Sequence, residues 1–189
     1  IVNAAPRIID DGDAGFELLP GPAAWTSHSQ SGSGFGGDAL TTVSASTNNR
    51  VRWTFDRLTP GAYRLSASFP VVANQLNVVP LRVYDDGRLV TGFTANQSSA
   101  PSDFDQFGVT WDELGLFPLT SRTLVVELLD LGVPGFRIAA DALRLEQVSF
   151  GGPLSFGLPV IDQPELRVQE GSQFIGDFSG SVAINTTKG

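Results

Sequence analysis

The run Val51-Arg-Trp-Thr-Phe-Asp-Arg-Leu-Thr-Pro-Gly-Ala-Tyr-Arg-Leu-Ser-Ala-Ser-Phe69 constrains the fold more than any other segment. Val51, Trp53 and Phe55 alternate with Arg52, Thr54 and Asp56; Tyr63, Leu65, Ala67 and Phe69 alternate with Arg64, Ser66 and Ser68. Side chains on a strand point to opposite faces in turn, so each half buries one face and wets the other. Pro60-Gly61 between them fits a type II turn, which needs a fixed φ followed by a positive one. The pair announces an antiparallel β domain.

The rest of the chain reads the same way. Strand candidates lie at 7–9, 16–19, 39–45, 78–84, 88–94, 107–111, 122–129 and 136–148. Asp85-Asp86-Gly87 separates two of them with the residues that primed hairpin turns prefer. Pro70 ends the strand before it, because it cannot donate to a ladder. Helix signals are confined to one turn at Trp111-Asp-Glu-Leu-Gly-Leu116, closed by Gly115. The expectation is an all-β fold: an antiparallel β-sandwich, a jelly roll of about eight strands, spanning residues 1–150. Residues 151–163 read as a linker. Residues 164–189 read as an extension of two or three strands, too few to stand alone in water.

Composition narrows the chemistry. Cysteine is absent, which removes thiol catalysis, disulfides and thiolate metal sites. The 12 basic residues are scattered singly in a chain of net charge −8, against nucleic-acid binding, where phosphate neutralisation needs clustered cations. No apolar stretch approaches the roughly 20 residues of a membrane span. No signal-peptide pattern opens the chain and methionine is missing, so residue 1 is read as a processed or excised end. Low charge density with abundant Gly, Ser and Thr suits an extracellular or cell-surface protein.

Four features bear on function. Asp10, Asp11 and Asp13 crowd one turn and cannot all be buried unpaired, and Asp141 lies between Ala140 and Ala142, where an inward charge is costly. Two accounts stay open: hard oxygen ligands for calcium from separated segments, or a solvated turn with Asx hydrogen bonds, Asp141 pairing with Arg137 or Arg144. Gly32-Ser-Gly-Phe-Gly-Gly37 matches G-x-G-x-x-G but lacks the flanking strand and helix of a dinucleotide site, and reads as a loop. His28, the one histidine, has no orienting carboxylate at motif spacing, and Asp103/Asp105 and Asp112/Glu113 are sequence neighbours that do not face one substrate from two sides. No enzyme is expected. Among loop aromatics, Trp25, Tyr84 and Trp111 are candidates for stacking on a sugar, with capping of the sandwich ends as the alternative.

Ile8-Ile-Asp-Asp-Gly-Asp-Ala-Gly-Phe16, Trp25, the 53–65 run and Ile138-Ala-Ala-Asp-Ala-Leu-Arg-Leu145 together resemble the golvesin C-terminal-like domain, a relative of the galactose-binding-like jelly rolls. The resemblance implies a module of large secreted bacterial proteins. It also implies a structural calcium joining the acidic N-terminal segment to Asp141. Residues 164–187 resemble the opening strands of a choice-of-anchor D immunoglobulin-like repeat.

Two functions follow. The first is a non-enzymatic structural or adhesive module that self-associates, as a filament or surface-layer subunit. The apolar Val168, Phe174, Ile175, Phe178, Val182 and Ile184 would then lend strands to a neighbour. The alternative is a calcium-stabilised carbohydrate-binding module with glycans as partners.

Overall fold

The computed structural model describes residues 5–21, 24–29, 34–44 and 47–148. The chain divides into a unit spanning Ile1–Gly151 and another spanning Gly152–Gly189. The linker, the C-terminal extension and its six assembly residues lie outside the described residues.

The strands in chain order are β1 (Arg7–Ile9), β2 (Phe16–Leu18), β3 (Thr26–His28), β4 (Ala39–Val43), β5 (Arg50–Phe55), β6 (Gly61–Ala67) and β7 (Val79–Asp85). They continue with β8 (Arg88–Ala95), β9 (Phe104–Gln106), β10 (Val109–Leu119), β11 (Leu124–Leu129), β12 (Arg137–Ala140) and β13 (Leu143–Val148). Among the described residues they form two five-stranded sheets, β1-β13-β6-β10-β9 and β2-β5-β11-β7-β8, and a three-stranded sheet, β12-β4-β3. Every pairing of named strands is antiparallel, and the architecture is a jelly-roll β-sandwich. Among the described residues no helix is long and apolar enough to cross a membrane.

The alternation read from the sequence decides the core. Val51, Trp53 and Phe55 of β5 are buried, and Tyr63, Leu65 and Ala67 of β6 share one cluster with them. Val126 and Leu128 of β11 and Leu81 and Val83 of β7 complete the wall facing β6. Burying these side chains is the main favourable term, about 1.5–3 kcal/mol for each large one before entropy is set against it. The hairpin between β7 and β8 turns on Asp86 (φ 48°) and Gly87 (φ 79°), as the Asp-Gly pair requires.

Three local expectations change. The 111–116 segment is strand, not helix: it lies within β10, and a bulge between Glu113 and Gly115 breaks the alternation that would have marked it. Pro60-Gly61 is not the turn. Gly61 opens β6, while the positive φ between β5 and β6 falls on Arg57 (φ 53°) and Leu58 N–H bonds Arg122 O. The 136–148 stretch is two strands, not one, because the chain passes from sheet β12-β4-β3 to sheet β1-β13-β6 at Asp141 and Ala142. The amide of Gln97 fixes that crossing: it donates to Ala139 O (2.8 Å) and accepts from Ala139 N–H (2.8 Å), taking a ladder partner's place.

Candidate functional site: an acidic centre beside an open cleft

Strand register assembles the centre. Ile9 pairs with Leu143, so Asp10, the next residue, reaches the β12–β13 crossing. Leu40 pairs with Ala140, so Asp38, just ahead of β4, arrives at the same point. Carboxylate oxygens of Asp10, Asp11 and Asp38 all lie within 4.8 Å of one another. Asp141 sits against them: its carboxyl shares a hydrogen bond with that of Asp10, and the charges of Asp10 and Asp11 act on it in return.

Asp141 is almost wholly buried, at 2% exposure. Both its oxygens accept from Phe35 N–H (3.1 and 3.0 Å), and its carbonyl accepts from Trp53 Nε1 (3.1 Å). Among the described residues no arginine or lysine forms an ion pair with Asp10, Asp11, Asp38 or Asp141. Pairing of Asp141 with Arg137 or Arg144 is therefore corrected. Arg144 instead donates to Gln106 Oε1 and Glu146 Oε2, its guanidinium 5.2 Å from the Phe104 ring. Burial first, then the charges of Asp10 and Asp11, push the Asp141 carboxyl up to about 8 against the pull of Phe35 N–H and Ser68. Burial, then Asp10 and Asp38, push Asp11 up to about 6. Burial raises Asp10 as well.

The glycine-rich loop covers this centre. A Cβ on Gly34 (φ 76°) would stand 2.7 and 2.8 Å from the Asp141 oxygens, and one on Gly36 (φ 73°) 2.8 Å from Asp10 Oδ2. Both positions combine a positive φ with close approach, which glycine alone meets without strain. Between them Phe35 tilts against Trp111 with ring centroids 5.8 Å apart, anchoring the loop to the sheet of β10. The set suits a hard divalent cation: four carboxylates from three segments, no cation paired with them among the described residues, and backbone packed too closely at Gly34 and Gly36 to admit a side chain.

Of the residues expected at a metal, Asp10, Asp11 and Asp141 come together and Asp13 does not. Asp13 closes its own turn, its Oδ2 accepting from Asp10 N–H (3.0 Å), and is exposed. Asp38 takes its place. Nothing local in the sequence marked it; only the pairing of β4 with β12 brings it in.

The expected sugar platform is dispersed. Trp111 is completely buried, its Nε1 donating to Gln106 O (2.9 Å), and has no face for a ligand. Trp25 is half-buried against the core, and Tyr84 is half-buried on β7. The carboxylates weighed as catalytic pairs are engaged in turns. Asp103 accepts from Glu113 N–H (2.7 Å), Asp112 from Ser102 N–H (2.7 Å) and Asp105 from Thr110 Oγ1 (2.7 Å).

An open cleft of about 750 Å³ adjoins the acidic centre. Gly34, Gly36 and Gly37 form one side, Ser68–Val71 another, and Phe107–Thr110 with Ala100 and Pro101 complete it. Phe107, missed as a site residue, projects from the two-residue turn between β9 and β10 and is 56% exposed. The residue joining centre to core is Trp53. Trp53→Phe strands the Asp141 carbonyl and is expected to cost about 1–2 kcal/mol, measurable by denaturant unfolding.

A family model of the Golvesin C-terminal domain matches residues 8–147, and the chain belongs to that family. No curated protein matches it. Among solved structures it is similar to a Paenibacillus xanthan lyase, at 20% identity and a TM-score of 0.62, over 76% of this chain and 13% of that one. It thus spans only a small part of the lyase. It is also similar to the family 35 carbohydrate-binding module from Cellvibrio japonicus Abf62, at 16% identity and TM-score 0.52, over 75% of this chain and 92% of that module. A family 35 module from an environmental isolate matches at 12% identity and TM-score 0.50, over 77% and 94% of the respective chains. At these identities the likeness concerns the fold.

Proposed function

We propose that the described domain is a non-enzymatic carbohydrate-binding module of a secreted protein, its loop end held by calcium on Asp10, Asp11, Asp38 and Asp141. One observation carries the reading: an uncompensated acidic centre lies directly behind an open cleft, on a sandwich of the kind found in solved carbohydrate-binding modules. The cation would neutralise carboxylates that otherwise repel one another and would fix the loop forming the cleft's wall. Fold alone does not assign activity, since one sandwich hosts many functions. The site's chemistry is what favours binding: no described histidine or carboxylate pair faces the cleft in a nucleophilic or acid–base arrangement.

The self-associating reading rests on residues 164–189, outside the described set, and no observation among the described residues favours it over glycan binding. Affinity electrophoresis in gels containing neutral or acidic polysaccharides, with calcium present, tests the proposal. At least one polysaccharide is expected to retard the protein; migration unchanged in all of them would contradict the reading.

A further inference from the structure

We propose that the cleft takes a neutral pyranose chain and that Phe107 is the platform on which a sugar ring stacks. The inference rests on the carbohydrate-binding reading and adds the location and the charge class of the ligand.

The first observation is conformational. Gln106 pairs with Val109, so Phe107 (φ 56°) and Gly108 (φ 84°) are the two central residues of a hairpin turn, both with positive φ. Such turns prefer Asn, Asp or Gly first and Gly second, and this protein uses Asp86-Gly87 in the equivalent place between β7 and β8. A bulky aromatic residue with positive φ is an outlier. Folding alone thus gives no reason for Phe107, whose ring also contributes nothing to the core and is 56% exposed. Backbone strain of this kind concentrates at binding and catalytic sites. Val71, 50% exposed, lines the same cleft and adds apolar surface.

The second observation is electrostatic. Every residue lining the cleft is uncharged. The charged groups behind it are carboxylates: a Cβ on Gly36 would touch Asp10 Oδ2, and one on Gly34 would touch Asp141. A uronate entering here meets no arginine or lysine among the described residues and faces more carboxylate charge than one divalent cation cancels. Neutral hydroxyls instead meet Ser68, Thr110 and the main chain of the glycines. The volume, about 750 Å³, suits a short run of sugar units, and an aromatic face against a pyranose ring is a favourable apolar contact.

The test uses the full chain in calcium with laminarin, galactomannan and xylan as neutral probes and polygalacturonate and alginate as acidic ones. A neutral polysaccharide is expected to bind, and Phe107→Ala to weaken it by about tenfold or more. Phe107→Asn separates binding from folding: it suits the turn, so thermal stability should hold or rise while affinity falls as far as in the alanine variant. Undiminished binding by both variants would move the ligand off this cleft, and binding confined to the acidic probes would overturn the charge class. Either result leaves the carbohydrate-binding reading standing. Failure of the wild-type chain to bind any probe overturns both.

Discussion

Calcium added to cation-free protein at pH 8 is expected to raise its melting temperature by roughly 5–10 °C, from about 2.7 kcal/mol of linkage at a hundredfold excess over Kd. Asp141→Asn, which keeps an acceptor for Phe35 N–H but not the charge, is expected to abolish the response. The pH dependence gives the same test a sign. Asp141 is pushed up from 3.8 to about 8 in the folded protein, chiefly by burial. The folded state therefore keeps a proton that the unfolded chain releases, and this contribution is whole below about pH 4 and lost as pH rises through about 8. Asp11, raised to about 6, adds in the same direction. Asp85 acts oppositely. Burial raises it, but the hydroxyls and N–H groups of Ser121 and Thr120 outweigh burial and lower it, so its contribution is lost only below its ordinary 3.8. In chelator, stability should thus decline from pH 4 to 8, on the order of a few kcal/mol. With calcium in place of the protons, the curve should flatten. A melting curve equally flat with and without calcium would count against the acidic centre as a cation site.

Gly34→Ala is the second large effect. The new Cβ would press on the Asp38 carbonyl and stand 2.7 and 2.8 Å from the Asp141 oxygens, at a φ of 76° that alanine resists. Strain of about 1–2 kcal/mol from the left-handed backbone adds to a collision that main chain cannot relieve, so a total of roughly 2–4 kcal/mol is expected. Gly37→Ala is the control: its φ is 93°, but nothing lies within 4 Å of the added atom. It should show the strain alone. Denaturant unfolding of the two variants measures the difference. Equal losses would mean that Gly34 is not packed on the carboxylates, and the account of the loop as their cover would fail.

The sandwich was legible because one face of each long strand is buried. Trp53 and Leu65 could be placed from alternation, and the Asp86-Gly87 hairpin from turn chemistry. Where the chain leaves that regime the reading failed for identifiable reasons. The bulge in β10 erased the alternation around Leu114 and suggested a helical turn. Trp111 looked available because it was read as lying beside a loop, but it is buried within β10, and Phe35, distant in sequence, packs against it. Phe107 continued the alternation of Val109 and Trp111, although Gly108 turns the chain there. At the acidic centre, Asp10, Asp11 and Asp141 stood out as charges beside apolar runs and within the family resemblance. Asp38 carries no such mark. Its role exists only once β4 lies beside β12, a contact between segments about a hundred residues apart. The glycine-rich loop was visible, but its purpose was not: the glycines are there to clear the carboxylates, a requirement set by tertiary packing.

Calorimetric titration of the chelator-stripped chain with calcium at pH 7.5 tests most directly whether the four aspartates form one cation site. The account predicts one ion per chain, proton release on binding because Asp141, pushed up to about 8, must give up its own, and loss of the heat in both Asp38→Asn and Asp141→Asn. An unchanged isotherm in those variants, or no ion bound by the parent chain, would contradict it.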